Sequence, residues 1–207
     1  YKALCVTVDQ PVIYARDRVV RGAAPLPLPN VRRAPVAATP AVAGAAPGRG
    51  GGGMRTRSLT WKDIEWFRSV TKMQIVLKGI LHPEDAEQAV KAGVDGIIVS
   101  NHGGRALDGV AATIDALPRV ADRVAGRIPV LMDGGIRRGG DIVKALALGA
   151  NAILVGRPYL YGLAVNGSEG VRHVVEILRN ELEAAMALTG RTSIAQIDRA
   201  TLWPTKP

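Results

Sequence analysis

Five short, almost uninterrupted apolar runs, at residues 3–8, 75–77, 96–99, 129–132 and 152–155, each end in a polar residue or glycine and are followed by a helical pattern. A strand with one solvated face alternates apolar and polar side chains. A strand apolar at successive positions must be covered on both faces, as parallel sheets flanked by helices are. Alternation of such runs with helices restricts the chain to α/β architectures: an open doubly wound sheet or a (β/α)8 barrel.

The helices are punctuated clearly. Thr60 with Asp63 forms a capping-box start for a helix over 61–70. Pro83 opens a second helix that runs through Ala92 and is stopped by Gly93, and a third runs over 141–148 and stops at Gly149. A helix over 111–124 carries Pro118 inside it, which removes a backbone donor. The tail is helical from 168 to 188, with Val171, Val174, Val175 and Leu178 expected on one apolar face. Chemically loaded residues stand at the end of strand after strand, and glycine-rich turns follow the last two. That pattern favours a TIM (β/α)8 barrel. A whole barrel needs roughly 250 residues, so five strands in 207 residues, starting at Tyr1, read as the C-terminal portion of one, with the early strands missing. Residues 21–57, rich in Ala, Pro and Gly, break the pattern and read as a flexible low-complexity insertion or, functionally, an active-site lid.

Composition closes several other routes. The net charge is +9, but Phe occurs once and no basic stripe is interleaved with aromatics, so no nucleic-acid partner is expected. The single cysteine, Cys5, excludes an intramolecular disulfide framework and a thiol-rich metal site, and its apolar setting predicts a core position. No apolar segment is long enough to span a bilayer, and no signal-peptide pattern opens the chain, which reads as soluble and intracellular.

The chemistry concentrates after residues 96–99, in Ser100-Asn101-His102-Gly103-Gly104-Arg105. A histidine and an arginine three positions apart at a strand mouth can place a proton acceptor and a carboxylate anchor over one small substrate. Taken alone, a histidine in such a loop is more often structural than a base. Asp133-Gly134-Gly135-Ile136-Arg137 and, one strand later, Gly156-Arg157 form two adjacent glycine turns suited to an anion, which together predict a phosphate-bearing ligand. Lys78 closes the 75–77 strand and could stabilise negative charge. Asp9, two residues after Thr7, could fix the tautomer of His102 and favour its imidazolium.

These residues, in this order, resemble the FMN-dependent 2-hydroxy-acid oxidases and dehydrogenases. The resemblance is carried by the segment from Cys5 to Pro11, Val76-Leu77-Lys78-Gly79, the Ser100–Arg105 motif with Ala106-Leu107-Asp108, the Asp133–Arg138 turn, the segment from Lys144 to Ala150, and Gly156-Arg157-Pro158. Within the family, the His-Gly-Gly-Arg segment is most similar to the vertebrate long-chain 2-hydroxy-acid oxidases. The resemblance implies oxidation of an (S)-2-hydroxy acid to a 2-oxo acid with FMN, with hydrogen peroxide formed if oxygen is the acceptor. It makes His102 the base and Asp9 its support, and gives the substrate carboxylate to Arg16 and Arg105. Thr7, Lys78 and Ser100 would meet the flavin ring, and Asp133, Gly134, Gly135, Ile136, Arg137, Gly156 and Arg157 the ribityl phosphate. It also implies a homo-oligomer, a tetramer, and a peroxisomal location, although the chain ends Trp203-Pro204-Thr205-Lys206-Pro207 without a Ser-Lys-Leu type address. Two departures stand out: the surroundings of Arg16 differ from the family's pattern, and the family's early strands are absent. An inert fragment that cannot close its barrel, and a phosphate-binding barrel enzyme without flavin, are the rival readings.

Overall fold

The computed structural model describes residues 1–10 and 59–203. Arg16 and the insertion expected at 21–57 lie outside the described residues. Strands and helices alternate: β1 (Ala3–Thr7), α1 (Trp61–Val70), β2 (Gln74–Ile80), α2 (Pro83–Lys91), β3 (Gly96–Val99), α3 (Thr113–Val124), β4 (Val130–Met132), α4 (Gly139–Ala147), β5 (Ala152–Ile153) and α5 (Arg157–Leu188). Two 3-10 turns, Ile194–Gln196 and Arg199–Thr201, follow.

All four strand pairings are parallel, and the order is β1-β2-β3-β4-β5, each strand beside its sequence neighbour. This decides between the two architectures that the sequence left open. A doubly wound sheet reverses its strand order, and the reversal sends helices to both faces. An order that never reverses, joined by right-handed crossovers, puts every helix on one face, as in a barrel wall.

The register sorts the side chains. Ile75, Leu77, Ile97, Val99, Val130 and Met132 face the helices and are buried, several completely. Burial of each such side chain contributes about 1.5–3 kcal/mol. The alternate positions, Thr7, Lys78, Ile98 and Leu131, form one register row on the opposite, concave face. Here the expected burial on both faces fails at the first and last strands: Cys5 and Thr7 on β1 and Ala152 on β5 are exposed. Cys5 is therefore on the open concave face rather than in the core. Partial desolvation there still pushes its thiol above the usual range, against the opposing pull of Lys78.

Local chemistry explains the helix ends. At the expected capping box the Asp63 carboxylate accepts both the N–H (2.7 Å) and the hydroxyl (2.8 Å) of Thr60. Pro118 does not end α3, because Ala116, Leu117, Val120 and Val124 on its inner face are buried and offset the lost donor. The tail helix expected over 168–188 is present as a second segment, preceded by a helical segment that was not expected from the sequence. Helical residues run from Arg157, and the backbone departs from the helix at Asn166 (φ −149°) and Gly167 (φ 52°), so that α5 is two helical segments meeting at a kink. Gly162 and Gly170 cross there: a Cβ on Gly170 would lie 1.9 Å from the Gly162 carbonyl oxygen. Leu178 on the second segment is buried and Val174 packs on the core, but Val175 points outward, 57% exposed. Among the described residues, no helix is long and apolar enough to cross a membrane.

Candidate active site

The C-terminal ends of β1 to β4 bring Asp9, Lys78, Ser100, His102 and Asp133 together. Lys78 lies inside β2 rather than at its end, and the strand continues to Ile80 through a register shift at Gly79. The shift has a local cause. Gly79 has φ +113°, and a Cβ there would sit 2.5 Å from the Asp9 Cβ. Only glycine admits Asp9 this close to β2.

Lys78 Nζ donates to Ser100 Oγ at 2.8 Å and pairs with Asp133 Oδ2 at 2.9 Å. The same Ser100 Oγ, fully buried, accepts the backbone N–H of His102 at 3.1 Å. His102 is in the left-handed region, φ 57°, uncommon for a residue with a side chain and concentrated at functional sites. Its Nδ1 lies 3.2 Å from Asp9 Oδ1. One oxygen of each carboxylate, Asp9 Oδ2 and Asp133 Oδ1, is buried without a hydrogen-bond partner among the described residues. Such acceptors are costly to bury, so their presence at a rim marks a place where a ligand donor belongs.

Beside this cluster lies an open cavity of about 380 Å³, lined by Asn101, Gly103, Gly104, Thr113, Gly134 and Arg157 among others. Gly134 and Gly135 have φ +84° and +76°, and Thr113 Oγ1 donates to the Gly134 carbonyl at 3.3 Å. The anion donors are not quite those expected. The N–H groups of Arg137 (3.0 Å) and Arg138 (2.9 Å) are held by Asp141 Oδ2, and that of Gly139, the first of α4, by Glu181 Oε2 at 2.9 Å. Carboxylates already occupy these N–H groups at the start of α4, which leaves an anion the Gly134–Gly135 turn and nearby cationic side chains, Arg157 and Lys144 among those that line the cavity. Ile136 is buried in the core and lines the cavity. Gly156 precedes α5 as its N-cap, and Arg157 is its first residue.

The remaining candidates are placed as follows. Thr7 is the register partner of Lys78 on the concave face. Arg105 is exposed on the His102 loop, and Arg137 is exposed beside the glycine turn. Sequence reasoning missed Asn101, Thr113, Asp141 and Lys144 as cavity residues. The only signal for Asn101 was its place in the His102 motif; polar residues at helix starts carry no mark of what they face.

A parallel barrel wall with a histidine–carboxylate pair on its rim and a glycine-lined cavity beside it places this chain in the class of TIM-barrel proteins with a site at the C-terminal ends of the strands. A family model described as FMN-dependent dehydrogenase matches residues 1–204, and the chain belongs to that family. An L-lactate oxidase of Nostoc sp. is 48% identical over 211 residues, covering 98% of this chain and 57% of that protein. The peroxisomal (S)-2-hydroxyacid oxidase GLO3 of Arabidopsis thaliana is 61% identical over 142 residues, covering 69% of this chain and 39% of that protein. A crystal structure of mandelate oxidase superimposes with a TM-score of 0.80 at 42% identity, covering 96% of this chain and 54% of that one. The chain thus spans about half the length of the relatives that match nearly all of it.

The residues present fit the family's cofactor, FMN. The cavity has the size of a ligand site, Arg157 and the positive-φ glycines suit a phosphate, the buried Asp133 Oδ1 can accept from a ribityl hydroxyl, and Lys78 supplies a cation at the concave face.

Proposed function

We propose that this chain carries the base and the cofactor-phosphate side of an FMN-dependent (S)-2-hydroxy-acid oxidase. The observation that carries this reading is the pairing of His102 Nδ1 with Asp9 Oδ1 at 3.2 Å on the rim that also holds Lys78, Ser100 and Asp133. When bound, FMN supplies a two-electron acceptor for the α-hydrogen and its electron pair, and oxygen can reoxidise it to yield hydrogen peroxide.

The chain's own residues do the rest. With Nδ1 engaged by Asp9, Nε2 is the atom of His102 that takes the substrate hydroxyl proton, and the adjacent carboxylate stabilises the imidazolium so formed. Ser100 holds the His102 backbone in its left-handed turn. Arg105, and Arg16 from outside the described residues, grip the substrate carboxylate through guanidinium forks. Thr7, Lys78 and Ser100 border the ring site, with Lys78 balancing negative charge there. Asp133 Oδ1 accepts from the ribityl chain. The Gly134, Gly135 and Ile136 backbone, with Gly156 and the side chains of Arg137 and Arg157, holds the phosphate. A peroxisomal location and tetrameric assembly belong to the same proposal; the relative GLO3 is described as peroxisomal.

The test is anaerobic mixing of the FMN-loaded protein with 2-hydroxy acids of graded chain length. Bleaching of the flavin absorbance supports the reading. A flavin-loaded protein that bleaches with none of them overturns the oxidase assignment, and a colourless protein active on a sugar phosphate would favour a barrel enzyme without flavin.

A further inference from the structure

Arg157 begins α5, yet its Nη2 donates to the Gly103 carbonyl at 3.3 Å, a bond spanning 54 residues of sequence. Gly103 directly follows His102 and has φ +66°. A Cβ built on Gly103 would lie 3.5 Å from the same Nη2, so the guanidinium lies against this backbone as well as bonding to it. Of the other ties of this turn, His102 Nδ1 to Asp9 Oδ1 reaches back to the end of β1, and the rest are local: Ser100 Oγ accepts the His102 N–H, and the backbone oxygen and Oδ1 of Asn101 both accept the Gly104 N–H. The local ties shape the turn; Arg157 anchors it to the far wall of the cavity.

A guanidinium carries five N–H donors in a rigid fork, so one nitrogen can hold a carbonyl while the others hold an anion. The geometry points to Arg157 as a positioning residue for His102: a cofactor phosphate fixes the guanidinium, and the guanidinium fixes the Gly103 carbonyl and with it the neighbouring imidazole. This rests on the FMN reading, and it assigns the phosphate end of the site a share in placing the base.

The experiment compares FMN with riboflavin, which lacks the phosphate, by amide hydrogen exchange over residues 101–112 and by turnover. In the wild-type protein, FMN slows exchange of residues 102–104 about tenfold more than riboflavin does, as a locally clamped turn requires. Arg157→Lys keeps a cation but not the fork. It still turns yellow at raised FMN concentration, loses the extra slowing, and loses about tenfold in kcat with little change in KM for the hydroxy acid, the signature of a misplaced reacting group rather than weaker substrate binding. Equal slowing by FMN and riboflavin in the wild type overturns the proposal, as does full slowing in Arg157→Lys. If the wild type binds neither flavin, the cofactor reading fails, and inorganic phosphate becomes the deciding probe. Slowing of residues 102–104 by phosphate in the wild type but not in Arg157→Lys sustains the clasp, and its absence overturns it.

Discussion

The two ends of the sheet treat their polar groups in opposite ways. At the N-terminal edge, Asp95 Oδ2 accepts the Ile75 N–H at 2.7 Å and pairs with Arg68, which also donates to the carbonyls of Met73 and Gly93. Asn151 does the same two strand pairs further along, its Oδ1 accepting the Val130 N–H at 2.8 Å while its own N–H donates back to the Val130 carbonyl. At the C-terminal rim, Asp9 and Asp133 each bury an oxygen without a partner among the described residues, and His102 stands in a conformation that costs a side-chain-bearing residue energy. One end spends its polar groups on holding strands in register. The other leaves one oxygen of each carboxylate open among the described residues. Stability and chemistry are thus separated along the strand axis, as barrels permit.

The sharpest attempt to break this comparison is His102→Ala at the rim. Turnover should fall by about 10²–10⁴-fold, the range of a positioned acid–base group, while the denaturation midpoint stays put and FMN still colours the protein. A large loss of stability would show that the histidine is structural. Next in size is Asp95→Ala at the opposite edge. Chemical denaturation should report a loss of about 1–2 kcal/mol, because the Ile75 amide and Arg68 lose their acceptor, with flavin affinity unchanged; a change in affinity would break the separation. At the rim, Asp9→Asn should shift the denaturation midpoint less than Asp95→Ala does, since Asp9 is only half satisfied, yet it should slow flavin bleaching markedly.

The smallest effect is in the pH dependence. The Ile75 N–H, and after it Arg68, hold the Asp95 carboxyl below its usual range. A depressed carboxylate contributes its stability fully above the unfolded value of about 3.9 and loses it as pH falls through the lower folded value. The stability difference between wild type and Asp95→Ala should therefore be constant near neutrality and shrink below about pH 4. A difference that grows on acidification would refute the account of Asp95.

How much of this was legible depends on how local each cause was. The run Gly96–Val99 matched its strand residue for residue, because a fully buried strand between two others has to be apolar throughout. Pro83 and Gly93 marked α2 because their backbone preferences need no tertiary partner. The residues that converge on the site were readable as strand-end chemistry. Their distances were not, since the pairing of His102 with Asp9 joins residues 93 apart. Lys78 looked like a strand end because a charge ended the apolar run, whereas the strand carried it onto the concave face and continued past a glycine bulge. Cys5 and Val175 misled for a related reason: an apolar residue reports a preference for burial, not whether a neighbour covers it.

The sequence by itself determined the alternation of strand and helix, the glycine turns and the residues available for catalysis, because backbone propensity and side-chain chemistry are properties of short segments. The tertiary structure alone decided that the strands run in unbroken order rather than reversing, that carboxylates close the start of α4, and that Arg157 reaches the His102 loop. Those outcomes depend on which distant groups the sheet brings within a hydrogen bond of one another, and no local signal encodes that distance.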